Sequence, residues 1–190
     1  MALVRAGATV SVLLDSDVED DFEIPEGHSL DINLCGHSLS GHIAVNGILR
    51  VTDEPDLDSA GTLVSELAVG SKGKVERLSS CSVRSVEDLR FELSLVHDEG
   101  VSIRFSENMT CDELVIPEGA VQTINLNGFS LTCKTLKVLG ALTLIDSKGS
   151  DGFVKADRTL LGRKGSMKID YGPVRTTYTY LNPGLVLMVR

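Results

Sequence analysis

A chain of 190 residues with 42% apolar side chains can bury a core as one domain or as two small ones. It has no tryptophan and only 4% aromatics, so the core is aliphatic and an exposed aromatic platform for stacking sugar rings is disfavoured. Charge is uneven: residues 1–95 hold seven basic and seventeen acidic side chains and residues 96–190 hold eleven and ten, which disfavours nucleic-acid binding by the whole surface.

The chain begins with an arm or edge strand over residues 1–9, with no apolar run of signal-peptide length and no stretch near a membrane span of about 20 apolar residues. Val10 to Leu14 predicts the first strand, followed by the acidic run Asp15-Ser-Asp-Val-Glu-Asp-Asp21. Oxygen ligands at alternate positions suit calcium, but the glycine and closing glutamate of a calcium loop are missing, so the run reads as a solvated turn. Next comes Ile24-Pro-Glu-Gly-His-Ser-Leu-Asp-Ile-Asn-Leu-Cys-Gly-His-Ser-Leu-Ser40, with a turn at Pro25–Gly27, a strand through Leu30 and Ile32, and a second turn at Gly36. Val45 to Asp53 is a further strand, 53–62 a surface loop, and Leu63 to Ser80 irregular further strands with a turn at Lys72-Gly73-Lys74.

Ser85 opens the single predicted helix, near 86–97, with Asp88 placed to complete a capping box. Leu89, Leu93 and Val96 form its apolar stripe, and Gly100 ends it. After the helix the pattern of the first half recurs. Ile116-Pro-Glu-Gly-Ala-Val-Gln-Thr-Ile-Asn-Leu-Asn-Gly-Phe-Ser-Leu-Thr132 repeats the 24–40 segment without a gap. Val101-Ser-Ile103 matches Val10-Ser-Val12, Val138 to Asp146 matches Val45 to Asp53, and Gly162-Arg-Lys-Gly165 matches Gly70-Ser-Lys-Gly73. Offsets of 91–93 residues mark a tandem duplication, with a first repeat over 1–83 and a second over 84–190.

Within each copy a shorter rhythm runs near twenty residues, through Val12, Ile32 and Val51 and again through Ile103, Ile124 and Leu144. Alternating apolar positions in short strands predict an all-β fold, and this spacing fits the coils of a parallel β-helix. A sandwich or barrel of hairpins is the competing reading. Cys111 and Cys133, 22 apart, would stack on neighbouring coils, and all four cysteines read as thiols. After Asp146, Phe153 to Ile169 predicts two or three more strands before a tail rich in tyrosine and aliphatic residues.

The Ile-Pro-Glu-Gly segment followed by Ile-Asn-Leu-Asn-Gly-Phe-Ser-Leu resembles the right-handed β-helix repeats of the pectin-lyase-like superfamily, above all the non-enzymatic type in phage structural proteins and bacterial adhesins. The resemblance covers residues 10–54 and 83–147. It implies a right-handed parallel β-helix (solenoid) built from the duplication, with the short helix as a cap. It implies no catalytic residues, because none of the lyase or hydrolase motifs has a matching position.

Direct inspection agrees on the chemistry. Asp31, Asp53 and Asp146 offer no clustered carboxylate pair beside an arginine, and His28 and His37, which align with Ala120 and Phe129, read as surface or filler positions. There is no phosphate loop or nucleophile elbow. No cofactor and no metal is expected. The expected function is a non-catalytic structural protein, a phage virion component such as a capsid decoration, fibre or tail-associated part. A carbohydrate-binding or adhesin module is the alternative, and a polysaccharide lyase or hydrolase comes third. The expected location is a virion or the cytoplasm of the producing cell. Expected partners are another copy or a larger shell protein, with a glycan as a further option and neither nucleic acid nor membrane. Residues assigned to partner binding are Tyr178, Tyr180, Leu185, Leu187 and Val189 of the tail, with the basic Arg163, Lys164 and Lys168 steering the approach.

Overall fold

The computed structural model describes residues 9–53, 61–148, 151–171 and 174–179, with backbone alone at 64, 65, 171 and 174–179. The first half gives β1 (Thr9–Leu13), β2 (Val18–Glu19), β3 (Phe22–Ile24), β4 (Ser29–Asn33), β5 (Leu39–Val45), β6 (Ile48–Thr52), β7 (Leu63–Val69), β8 (Lys74–Arg77) and β9 (Cys81–Val83). Then follow α1 (Val86–Leu93), β10 (Val96–His97), β11 (Ile103–Phe105), β12 (Met109–Ile116) and β13 (Val121–Asn125). The last strands are β14 (Ser130–Val138), β15 (Ala141–Ile145), β16 (Phe153–Leu161), β17 (Ser166–Tyr171) and β18 (Val174–Thr179).

The chain is an all-β protein whose parallel sheets wind as a β-solenoid with one short helix. It divides into two compact units, Met1–Ser82 with Leu95–Val101, and Val83–Ser94 with Ser102–Arg190. The chain thus passes between the units three times, at 82/83, 94/95 and 101/102. Residues 95–101 return to the first unit because Val96 and His97 pair in parallel with Glu76 and Arg77 of β8.

In the first unit one sheet stacks β1, β4, β6, β8 and β10, and a second stacks β2 and β3 on β5 and β5 on β7. In the second unit β12, β14 and β16 form one sheet, while β11, β13, β15 and β17 form another. Each strand therefore pairs with one about a coil away in sequence, as the rhythm near twenty predicts. The exception is β18, which turns back antiparallel on β17.

Alternate residues of the strands point inward and lose their water, each fully buried aliphatic side chain contributing about 1.5–3 kcal/mol. Ile32, Leu34 and Val51 are buried in the first unit, and Ile124, Leu126 and Leu144 at the matching places in the second. The expected irregularity of residues 63–80 is corrected: β7 and β8 pair in full register with β5 and β6. At the outermost strand the alternation fails to bury. Val10 and Val12 of β1 each stay 37% exposed, whereas Ile103 is buried, because β1 has a neighbour, β4, on one side only among the described residues.

The helix is shorter than its stripe predicts. Ser85 accepts from Asp88 N at 3.0 Å while Asp88 reaches back to Ser85 N at 3.1 Å, so the capping box is complete. At the other end the Ser94 hydroxyl donates to Phe91 O, and the chain leaves the helix after Leu93. Val96, expected on the buried stripe, instead lies exposed on β10, and Leu95 is buried in its place. The helix rests against β12, the end strand of its sheet, where Arg90 Nη2 donates to Glu113 O at 3.0 Å. That covers a strand edge of the kind that otherwise pairs with foreign chains.

Candidate functional site

The polar residues are best followed from the duplicated corners outward. Asn33 and Asn125 each accept, through Oδ1, the backbone N–H two residues on, at 3.0 Å in both copies. That residue, Cys35 or Asn127, takes a left-handed conformation with φ of +49° or +52°. The glycine after it, Gly36 or Gly128, donates its N–H to Asp53 Oδ1 at 2.9 Å or to Asp146 Oδ1 at 2.8 Å. The second carboxylate oxygen takes Gly61 N at 2.6 Å or Gly152 N at 2.8 Å. Asp53 and Asp146 are both buried, so each ties the turn one coil earlier, at Gly36 or Gly128, to the chain after its own strand, at Gly61 or Gly152. These aspartates clamp the backbone of neighbouring turns together through paired N–H donors.

A cluster does exist where sequence inspection found none. On the outward side of the first unit, the register sets Asp31 of β4 beside Arg50 of β6, and Arg50 beside Glu76 of β8. Arg50 Nη1 donates to Asp31 at 3.2 Å and its Nε to Glu76 at 2.8 Å, while Lys74 Nζ reaches Glu76 at 2.5 Å. The hydrogen bond from Lys74, reinforced by Arg50, holds the Glu76 carboxyl below its ordinary range, and the two carboxylates raise the Arg50 guanidinium. A carboxylate held ionised in this way is a poor proton donor, so the row acts as an ion-pair ladder across three coils. The equivalent column of the second unit carries Thr123, Thr143 and Lys168.

The acidic run after β1 turns its carboxylates onto the next coil, with Asp17 accepting from Ser38 N and Asp21 from His42 N, both at 2.7 Å. His37 lies 3.7 Å from Asp17 and His42 lies 2.9 Å from Glu66, each histidine with a separate carboxylate. Among the described residues no three metal-ligating side chains gather. Cys111 and Cys133 are register partners on β12 and β14, as their spacing predicts, and all four cysteines are free thiols. Burial pushes the Cys133 thiol up to about 11 and raises Cys111 in the same direction.

Of the expected partner-binding residues, Tyr180, Leu185, Leu187 and Val189 lie outside the described residues. Tyr178 is on β18, opposite Met167. Arg163 is exposed in the turn after β16, Lys164 pairs with Glu118 at 3.2 Å, and Lys168 sits on β17 at 4.0 Å from Asp170.

No helix among the described residues is long and apolar enough to cross a membrane. No protein-family model, curated protein or solved structure matches this chain.

Proposed function

We propose that this chain is a non-catalytic structural and interaction protein, a β-helical component of a phage or phage-like particle. The observation that carries the reading is where the polar side chains go. The buried aspartates hold backbone turns, the acidic run holds the next coil, and the Asp31–Arg50–Glu76 ladder is satisfied within itself. This is the economy of a scaffold, in which polar groups join coil to coil. Deleting residues 181–190 and measuring both solution mass and incorporation into particles tests it; a truncated chain that incorporates like the parent counts against the tail as the assembly element. Absence of the intact protein from purified virions would remove the particle reading.

One observation favours a second reading, a carbohydrate-binding or adhesin module. The Asp31–Arg50–Glu76 row is half-exposed and presents alternating donors and acceptors of the sort that hold sugar hydroxyls. Glycan-array binding that is lost in Arg50→Ala would support it.

A further inference from the structure

Cys35 and Cys81 belong to the first unit, and Cys111 and Cys133 to the second. The second pair stands in one column, since Cys111 of β12 is the register partner of Cys133 of β14. Ala156 of β16 follows Cys133 in that column, so no third sulfur joins it there. Each cysteine lies two residues beyond a buried side chain, Met109 or Leu131, and so faces the interior itself. Cys133 is 2% exposed, whereas Cys111, on the end strand of the sheet, is half-exposed.

The two thiols share a hydrogen bond. Neighbouring strands run about 4.8 Å apart, inside the ~4.4–6.8 Å that separates the Cα atoms of bonded cysteines. Register partners on parallel strands raise their side chains side by side, so a bond needs the Cβ atoms drawn in to about 3.5–4.5 Å. The backbone beside them can supply that adjustment. β12 and β14 pair at Cys111–Cys133 and again at Glu113–Thr135, while Asp112 and Lys134 between them meet through their side chains at 2.7 Å. The alternation slips by one residue at this step, and inward positions resume at Leu114 and Leu136.

Helix α1 adds a charge. Arg90, which donates to Glu113 O, lies close enough to act on Cys111. Burial raises the Cys111 thiol, and Arg90 opposes that rise by favouring the thiolate, the form that attacks an oxidant.

We propose that Cys111 and Cys133 are a redox-sensitive modification site, which a hydroperoxide converts to an intramolecular disulfide tying the coil of β12 to the coil of β14. Cys111, the half-exposed partner, reacts first. Its thiolate sulfur takes one oxygen of hydrogen peroxide as the O–O bond breaks, giving a sulfenic acid and hydroxide. The Cys133 sulfur then attacks the Cys111 sulfur, and the S–OH bond breaks as the S–S bond forms. The expelled hydroxide leaves as water with the Cys133 proton, so two thiols and one peroxide give one disulfide and two waters. Reduction by an external dithiol reverses the change.

The test treats the full chain with hydrogen peroxide, blocks remaining thiols by alkylation and maps peptides without reductant. A linked pair containing Cys111 and Cys133, lighter by two hydrogens and separated by dithiothreitol, is the expected result. The urea midpoint should rise on oxidation and return on reduction, because the cross-link closes a loop in the unfolded chain. Cys35→Ser should behave as the parent. In Cys133→Ser the midpoint should stay put and dimedone should label Cys111, while in Cys111→Ser the Cys133 thiol should remain unoxidised. Circular dichroism establishes that each variant is folded, and the parent's own map decides the matter if one is not. Oxidation of Cys111 to a sulfinic acid while Cys133 stays a thiol, or links formed only between other cysteines, overturns the proposal.

Discussion

Asp146→Ala removes the acceptor for three backbone N–H groups at once: Gly128 at 2.8 Å, Lys148 at 3.2 Å and Gly152 at 2.8 Å. The bond to Gly152 is buried and the other two are part-buried. A buried donor left without a partner costs about 1–3 kcal/mol, and each donor that water can reach costs about 0.5–1.5. The expected loss is therefore about 2–6 kcal/mol, a large share of the ~5–15 kcal/mol that holds a typical domain. Asp146→Asn keeps the shape but turns one oxygen into an amide that faces an N–H, so its loss should be smaller, about 1–3 kcal/mol. Urea titration gives the totals, and amide hydrogen exchange localises them. The amides of Gly128 and Gly152 should lose protection first. If Asp146→Ala moves the stability by less than about 0.5 kcal/mol, the clamp is not what closes this corner.

Four further outcomes follow from the same geometry. In Gly140→Ala the new Cβ would fall 2.4 Å from both Pro117 O and Ala120 O, so this variant should be destabilised well beyond Gly119→Ala, where space is open and only the left-handed φ of +81° costs about 1–2 kcal/mol. Equal thermal shifts for the pair would contradict that ranking. Ile124→Asp places an unpaired carboxylate in an aliphatic interior at a fully buried position and should cost several kcal/mol, with loss of the second unit's exchange protection; unchanged melting would mean the face assignment is wrong. Because Glu76 titrates below its ordinary value near 4.5, its ladder stabilises the fold above that pH and loses the contribution as pH falls through the lowered value. The stability gap between parent and Glu76→Gln should thus narrow as pH falls below the ordinary value near 4.5 and vanish below the lowered one in urea titrations, and a gap that does not change with pH would refute the assignment. Mild alkylation should label half-exposed Cys35 before the buried Cys81 and Cys133, the latter with a thiol at about 11 that is little ionised near neutrality; mass spectrometry of early time points would reverse that order if the burial were wrong.

What was legible in the sequence was whatever repeats locally. Ile32, Leu34 and Val51 with their partners Ile124, Leu126 and Leu144 declared the interior, because period-two alternation in short segments has one structural solution once the segments recur each coil. The Ser85–Asp88 capping box was equally local and is formed as expected. The helix end was not, since Val96 continued the helical stripe and only its pairing with Glu76 draws it into a strand. The Asp31–Arg50–Glu76 ladder went unseen because its members lie 19 and 26 residues apart in sequence. The signal was nevertheless present: Asp31 and Arg50 each directly precede a residue of the marked inward column, Ile32 and Val51. Arg77 and Glu92, charged yet buried at 1% and 4% exposure, carry no pattern by which a sequence reader would place them inside.

The parallel registers have a bearing on how the molecule is made. Ser29 meets Ile48, Thr123 meets Thr143, and Leu131 meets Val154, so each strand is laid upon one synthesised only about a coil before it. Loop closure over so short a distance is cheap, and its cost rises only slowly with length. A nascent chain emerging from the ribosome can therefore wind turn upon turn, each finished coil serving as the template for the next, without waiting for distant sequence. Among the described residues direction reverses only where β18 folds back on β17. In a chain that winds in one direction, that reversal acts as a stop signal for one sheet, written into the order in which the coils appear.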